Sequence, residues 1–406
     1  MSTFSGRHYP KDVILWAVRW YCRYGVSYRD LEEMLTERGV PVDHTTVYRW
    51  VQRYGPELDK RTRWYRRTWL ADSWRVDETY VRVGGRWCYL YRAVTSRGDT
   101  LDFFLSTRRN TTSAKRFLAK TLRSTAHAGP PRVINTDENP ALAAAITQLK
   151  AQGQCGHCCI GGYQVVQAGL MRRRPAPAPA SRSSFAGFRF PPEVITVAVR
   201  WYLRYGLSYR DVEELLAERG ITVDHVTVYR WVQRFTPLLI DAARPCRHVP
   251  GDRWFVDETY VKVAGRWRYL YRAIDQYGQV IDVLMSNKRD LGATRGFFTR
   301  ALAHGFRPTE VSTDRAPAYP RVLDEVLPAA CHVVEQYGNN PIEADHGRFK
   351  ARLRPMRGLK RLRSAGVIGA GHAFVQNLRR GHYELGVDAE ARHRLSAAFT
   401  ELALAI

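Results

Sequence analysis

The chain states one sequence twice. VRWYCRYGVSYRDLEEMLTERG, beginning at Val18, returns as VRWYLRYGLSYRDVEELLAERG at Val199, and VDETYV at Val76 returns unchanged at Val256. Phe4 to Tyr54 matches Phe185 to Phe235. The second copy then continues to the end of the 406-residue chain, whereas the first stops matching soon after Lys150. A repeat of about 20–50 residues would build a solenoid, because each unit would lean on its neighbours. An interval near half the chain instead requires two globular units, each closing its own core. One copy is whole and one is cut, so a complete active site is expected only in the second.

Charge narrows the partner. The formal net charge is +24 and the pI near 10.0, with Lys and Arg spread along both copies instead of collected in a tail. Such an excess gives long-range, salt-sensitive attraction to phosphates, so a nucleic acid is the expected partner and a small-molecule substrate is not. At 45% hydrophobic and 12% aromatic residues the chain has the material for packed cores. Its seven cysteines form no even framework, which suits a reducing compartment. Cys155-Gly-His-Cys158-Cys159 offers soft ligands, yet no second Cys or His pair follows at finger spacing, which leaves zinc the weaker reading. No signal segment and no apolar run of membrane-spanning length is present, so no membrane association is expected and the location read is cytoplasmic.

In the complete copy, Val194, Val197, Ala198, Trp201 and Tyr205 recur at helical intervals behind Pro192. Ser208 with Asp211 three residues on starts a second helix with Val212, Leu215 and Leu216 inward, and Gly220 ends it. Asp224 caps a third, with Val228, Trp231, Val232 and Phe235 inward. His225, Thr227, Arg230, Gln233 and Arg234 then face outward as the DNA-reading set. This is a helix-turn-helix pattern; an ordinary three-helix bundle with a solvated face shares it. Past Arg253 the period becomes that of strands. Residues 254–263, 267–274 and 280–285 read as an antiparallel meander turning at Ala264-Gly265 and at 276–279. A helix over 292–304, a strand over 311–314, a helix over 319–327, a strand near 331–334 and a helix from Pro341 follow, giving a mixed α/β sheet with helices on it.

Three carboxylates sit at element positions suited to metal-ion catalysis: Asp257 in the first strand, Asp314 after the fourth and Glu343 at a helix start. Mg²⁺, with Mn²⁺ as the alternative, takes such hard oxygen ligands together with substrate phosphates. Spacing leaves Glu258, Asp275, Asp282, Glu335 and Asp345 open as rivals. The segments VDETYVKVAGRWRYLYRAID, STDRAPAYP and NNPIEADHGRFKARLRPMRGLK resemble the Asp-Asp-Glu (DDE) transposases of the insertion-sequence-six family. The resemblance implies a helix-turn-helix domain before a ribonuclease-H-like catalytic domain, with Asp257, Asp314 and Glu343 as the metal-holding triad. It also implies recognition of terminal inverted repeats in double-stranded DNA, attack of a 3′-hydroxyl on target DNA by a replicative cointegrate route, and a homo-oligomer. Beyond Glu343, His346, Gly347, Lys350 and Arg354 share a helix face, with Arg348, Arg352, Arg357, Lys360, Arg361 and Arg363 thickening the positive field. His346 is read either as a phosphate positioner or as a structural hydrogen-bonder.

In the first copy Asp77 and Asp137 match the first two triad positions, but no Asp or Glu lies between Glu138 and Glu193. The missing closing elements should leave an apolar face exposed. Residues 153–184 read as an extended Ala/Pro/Arg-rich linker, with Met171 a relic start of the second copy. The expected domains are 1–60 and 185–240 (helix-turn-helix), 61–152 (truncated catalytic), 250–385 (complete catalytic) and 386–406 (tail). Three functions compete: an active transposase, a DNA-binding remnant that holds inverted repeats without transposing, and another nuclease or integrase of the ribonuclease-H-like class.

Overall fold

The computed structural model describes residues 8–62, 73–96, 98–125, 131–136, 140–152, 183–303, 305–335, 338–354, 356 and 358–406. Asp137, the Cys155–Cys159 cluster, Met171, Arg357 and nearly all of the expected linker lie outside them. The chain divides into two compact units, one of residues 1–56 with 179–406 and one of residues 57–178.

Each copy opens with three helices: α1 (Lys11–Arg23), α2 (Tyr28–Thr36) and α3 (His44–Thr62) in the first, α6 (Pro192–Arg204), α7 (Tyr209–Ala217) and α8 (His225–Ala243) in the second. The same residues start them in both. Ser27 and Ser208 accept from the backbone of Asp30 and Asp211, whose side chains cap back, closing two capping boxes. Gly39 and Gly220 take the left-handed conformation just past α2 and α7, where a Cβ would be strained. Helix α8 runs through Pro237 to Ala243. Pro237 forfeits one ladder bond, but Phe235, Thr236, Leu239 and Ala243 are buried, and that burial carries the helix through.

The first copy's truncated domain holds β1 (Ser73–Val83), β2 (Arg86–Thr95), β3 (Thr100–Ser106), α4 (Thr111–Ser124), β4 (Val133–Asn135) and α5 (Pro140–Ala151), with strand order β3-β2-β1-β4. Phe117, Leu118, Leu142 and Ile146 of the helices cover one sheet face. On the other face Phe103 and Leu105 remain 54% and 47% exposed. This is the apolar face expected of a domain cut before its closing elements.

In the complete copy the sheet runs β7-β6-β5-β8-β9, built from β5 (Arg253–Val263), β6 (Arg266–Asp275), β7 (Val280–Ser286), β8 (Glu310–Ser312) and β9 (Cys331–Val333). The first three strands pair antiparallel and the last three parallel, so the sheet is mixed. Ala264 and Gly265, both at positive φ, form the two-residue β5–β6 hairpin turn. Helices α9 (Leu291–Leu302) and α10 (Ala318–Val326) cover one face through Phe297, Phe298, Tyr319 and Val322. Helices α11 (Asn340–Leu353) and α12 (Leu362–Arg380) cover the other, and Val283, the counterpart of Phe103, is only 4% exposed beneath α12.

Two boundary expectations need correction. Residues 386–406 are not a tail: α13 (Arg394–Ala405) buries Leu395, Ala398, Phe399 and Leu402 against α6, α8 and α12. Nor do 185–240 and 250–385 stand apart, because α12 packs on α6 and α8 as well as on the sheet. Gly371 of α12 permits that closeness: a Cβ there would lie 2.6 Å from Leu203 Cδ2 and 2.8 Å from Thr236 Cγ2. Arg352 was expected in the solvated positive field but is buried, donating to the carbonyls of Tyr202 and Leu207 and lying over the Tyr202 ring.

Candidate active site

Strands β5 and β8 pair only over Arg253–Phe255 and Glu310–Ser312, and then part. Asp257 follows on β5 and Asp314 just beyond β8, so two acids distant in sequence flank the same opening. Glu258 joins them: oxygens of Asp257, Glu258 and Asp314 all lie within 4.8 Å of one another. Successive strand residues point to opposite faces. Asp257 therefore looks toward α11, while Glu258 looks into the α9–α10 side and accepts from the buried Tyr319 hydroxyl. Arg289, in the loop before α9, binds Glu258 and reaches Asp314 Oδ2 at 3.1 Å.

Burial sets the electrostatics. It pushes the Glu258 carboxyl up, against the Tyr319 hydrogen bond and the Arg289 charge, and the neighbouring Asp257 and Asp314 charges push the same way. Burial also raises the Tyr319 hydroxyl far above its ordinary value, with Glu258 adding to it. Burial lowers the Arg289 guanidinium, but Glu258 and Asp314 outweigh it and leave it raised. Three hard oxygen donors in one opening suit a divalent cation of the Mg²⁺ kind. His346 supplies a second mark of a built site. It is 5% exposed, its Nε2 lies 3.5 Å from Asp257 Oδ2, and neither ring nitrogen has a hydrogen-bond partner. The reading of His346 as a structural hydrogen-bonder therefore has no support here.

Glu343 lies in the first turn of α11, three residues before His346 and so on its face of the helix, with its side chain exposed. Its carboxylate is outside the cluster of Asp257, Glu258 and Asp314. Among the rivals, only Glu258 enters the cluster. Asp345 is buried in an ion pair with Arg272 and Arg380, Asp282 binds Arg300, and Asp275 caps the turn after β6 through the backbone N–H groups of Tyr277 and Gln279. Glu335 is exposed outside the cluster. Arg289 and Tyr319 had no signal in the sequence, since nothing periodic links a loop arginine and a helix tyrosine to a strand acid.

Of the outward set on α8, Arg230 and Arg234 are exposed, the latter over the Phe188 ring at 5.4 Å. The other three are half-buried. His225 Nδ1 lies 3.1 Å from Glu213 Oε2, Thr227 donates to the capping Asp224 at 2.6 Å, and Gln233 is half-buried with its amide nitrogen unpartnered. Lys350 and Arg354 stand exposed on α11 and beyond its end. No helix among the described residues is long and apolar enough to cross a membrane.

Comparison with known proteins bears on this arrangement. A family model described as a DDE domain matches residues 71–159 and 251–382. The chain is 43% identical over 169 residues to "Transposase for insertion sequence-like element IS431mec" of Staphylococcus aureus strain Mu50, spanning 40% of this chain and 75% of that protein. It is 42% identical, over the same shares, to "Transposase for insertion sequence element IS257 in transposon Tn4003" of Staphylococcus aureus. The magnesium-bound catalytic core of HTLV-2 integrase superposes with a TM-score of 0.27 at 18% identity, over 37% of this chain and 99% of that one, too loosely to bear on the fold. With both copies matched in the order their motifs occur, the chain belongs to the DDE-domain transposases of the insertion-sequence-six family, enzymes of metal-dependent polynucleotidyl transfer.

Proposed function

We propose that the complete copy recognises terminal inverted repeats and joins a 3′-hydroxyl of the element's end to target DNA, with Asp257, Asp314 and Glu343 as the triad and Mg²⁺ as its metal. The observation that carries this is the meeting of Asp257 and Asp314 where β5 and β8 part, facing the first turns of α11. A divalent cation held there would activate the attacking oxygen and stabilise the leaving one during in-line displacement. Arg289 orients Glu258 and Asp314 from one side. His346 stands beside Asp257 with free ring nitrogens, placed to hold a phosphate oxygen of the scissile strand. Lys350 and Arg354 continue the exposed basic face along which the DNA backbone would be drawn in. Arg230 and Arg234 of α8 are the residues of the helix-turn-helix left free for DNA, and in the first copy Arg49 and Arg53 are exposed at the matching places on α3. A ribonuclease-H-like sheet, a replicative cointegrate product and work at the nucleoid follow from the same reading.

The test is Mg²⁺-dependent joining of an end-bearing oligonucleotide to a plasmid. Covalently joined strands are expected. Nicks without joined strands would make the protein a nuclease, and binding without either product would make it a DNA-holding remnant.

A further inference from the structure

The two helical trios meet through ion pairs that repeat with their roles exchanged. Arg19 of α1 binds Glu218 beside α7 and Glu214 within it, the latter at 2.6 Å. Its counterpart Arg200 of α6 binds Glu37 beside α2, with a second contact at 3.1 Å. Arg23 reaches Glu214 at 2.8 Å and Asp211 at 3.6 Å, and its counterpart Arg204 reaches Glu33 at 2.7 Å and Asp30 at 3.0 Å. The Trp20 indole N–H donates to Glu218 at 2.9 Å, and that of Trp201 to Glu37 at 3.2 Å. Apart from Arg19–Glu214, each contact turns into another when both residues trade places with their equivalents in the other copy. Reciprocity of this kind defines an isologous, two-fold-related interface, in which one patch serves on both sides.

We infer that the face made by the first two helices of each trio is a self-complementary pairing surface, occupied in this chain by the chain's own other copy. One chain is then the covalently closed equivalent of a dimer of helical domains and carries both third helices, α3 and α8, as a pair. Four arginines facing six carboxylates form a local charge zipper within a chain of strongly positive net charge. Arg200 and Glu37 are almost fully buried, whereas Arg19 and Arg23 are about half exposed. Desolvated pairs fix register, because a slipped pairing would strand a buried charge. The inference stands on these contacts and does not depend on what the catalytic copy joins.

The test exchanges charges in the full chain. One variant carries Arg200→Glu with Arg204→Glu, the other Glu33→Arg with Glu37→Arg. Each by itself sets like charges against each other on one side of its internal interface, while the two together complement one another on both sides. Freed from its internal partner, the unaltered copy of each two-fold variant is expected to pair with the same copy of a second molecule, doubling the mass by sedimentation or light scattering relative to the wild-type chain. A single chain carrying all four changes is expected to return to the wild-type mass and to wild-type hydrogen-exchange protection over residues 11–37 and 192–218. Two-fold variants that keep the wild-type mass would overturn the inference. So would a four-fold variant no better protected than either pair, an outcome that remains readable if one two-fold variant folds poorly.

Discussion

Asp257 and Glu258 are adjacent on one strand and meet different surroundings, so their substitutions should part company. Asp257→Asn, Asp314→Asn and Glu343→Gln keep size and remove a charge from the proposed metal-binding triad. DNA binding measured by gel shift should survive while strand transfer falls by at least about 10³-fold, the scale of losing a principal electrostatic stabiliser. Asp77→Asn should leave joining unchanged, since the first copy has no acid between Glu138 and Glu193 to complete a site; loss of joining with binding intact would mean a composite site. Glu258→Gln removes the charge paired with Arg289 and leaves Tyr319 a neutral, weaker acceptor, which predicts about 1–3 kcal/mol lost in denaturant unfolding. Asp345 is a further separable case. Burial pushes its carboxyl up, but Arg272 and Arg380 outweigh it and leave it below its usual range. A depressed carboxylate stabilises the fold above its unfolded value of about 3.9 and loses that contribution as pH falls through the folded value. Asp345→Asn should therefore cost about 3–5 kcal/mol at neutral pH, by leaving the Arg272 charge buried and uncompensated, and should flatten the loss of stability below about pH 4.

Elements follow local rules where the chain is exposed and depart from them where packing intervenes. The capping boxes at Ser27 and Ser208 and the Ala264-Gly265 hairpin are set by residues within a few positions of one another, and each is legible in the sequence. Helix α8 crossing Pro237 and helix α13 in the expected tail are not decided locally, because both exist through what α6, α12 and α13 bury against them. The apolar spacing of Leu395, Ala398, Phe399 and Leu402 was nevertheless available as a helix signal. Gly371 marks the tightest of these crossings. Gly371→Val should lower stability by about 1–3 kcal/mol through overpacking against Leu203 and Thr236, while Gly366→Ala, on the same helix with open space around it, should not. Thermal unfolding of the two variants checks this.

At the scale of the molecule, the two copies are one sequence carried to different ends. Val283→Ser should cost about 1.5–3 kcal/mol, because α12 covers that position, whereas Phe103→Ser, at the same place on the truncated sheet, should stay within about 0.5 kcal/mol and improve solubility. A comparable loss at both would show the first copy's face to be covered. The sequence by itself determined the duplication, the helix-then-strand order, the mixed sheet and the acids to watch, because periodicity, caps and turns act over a few residues and the repeat makes each signal appear twice. Tertiary structure alone decided which acids converge. Glu258 was one rival among five until β5 placed it beside Asp257 and Asp314, and Arg289 and Tyr319 enter only through loops closing in space. It also buried Arg352, tied His225 and Thr227 to neighbouring carboxylates, and set Arg19 against Glu218 as Arg200 against Glu37. Such pairings join residues far apart along the chain, and nothing in the spacing of either partner specifies the other.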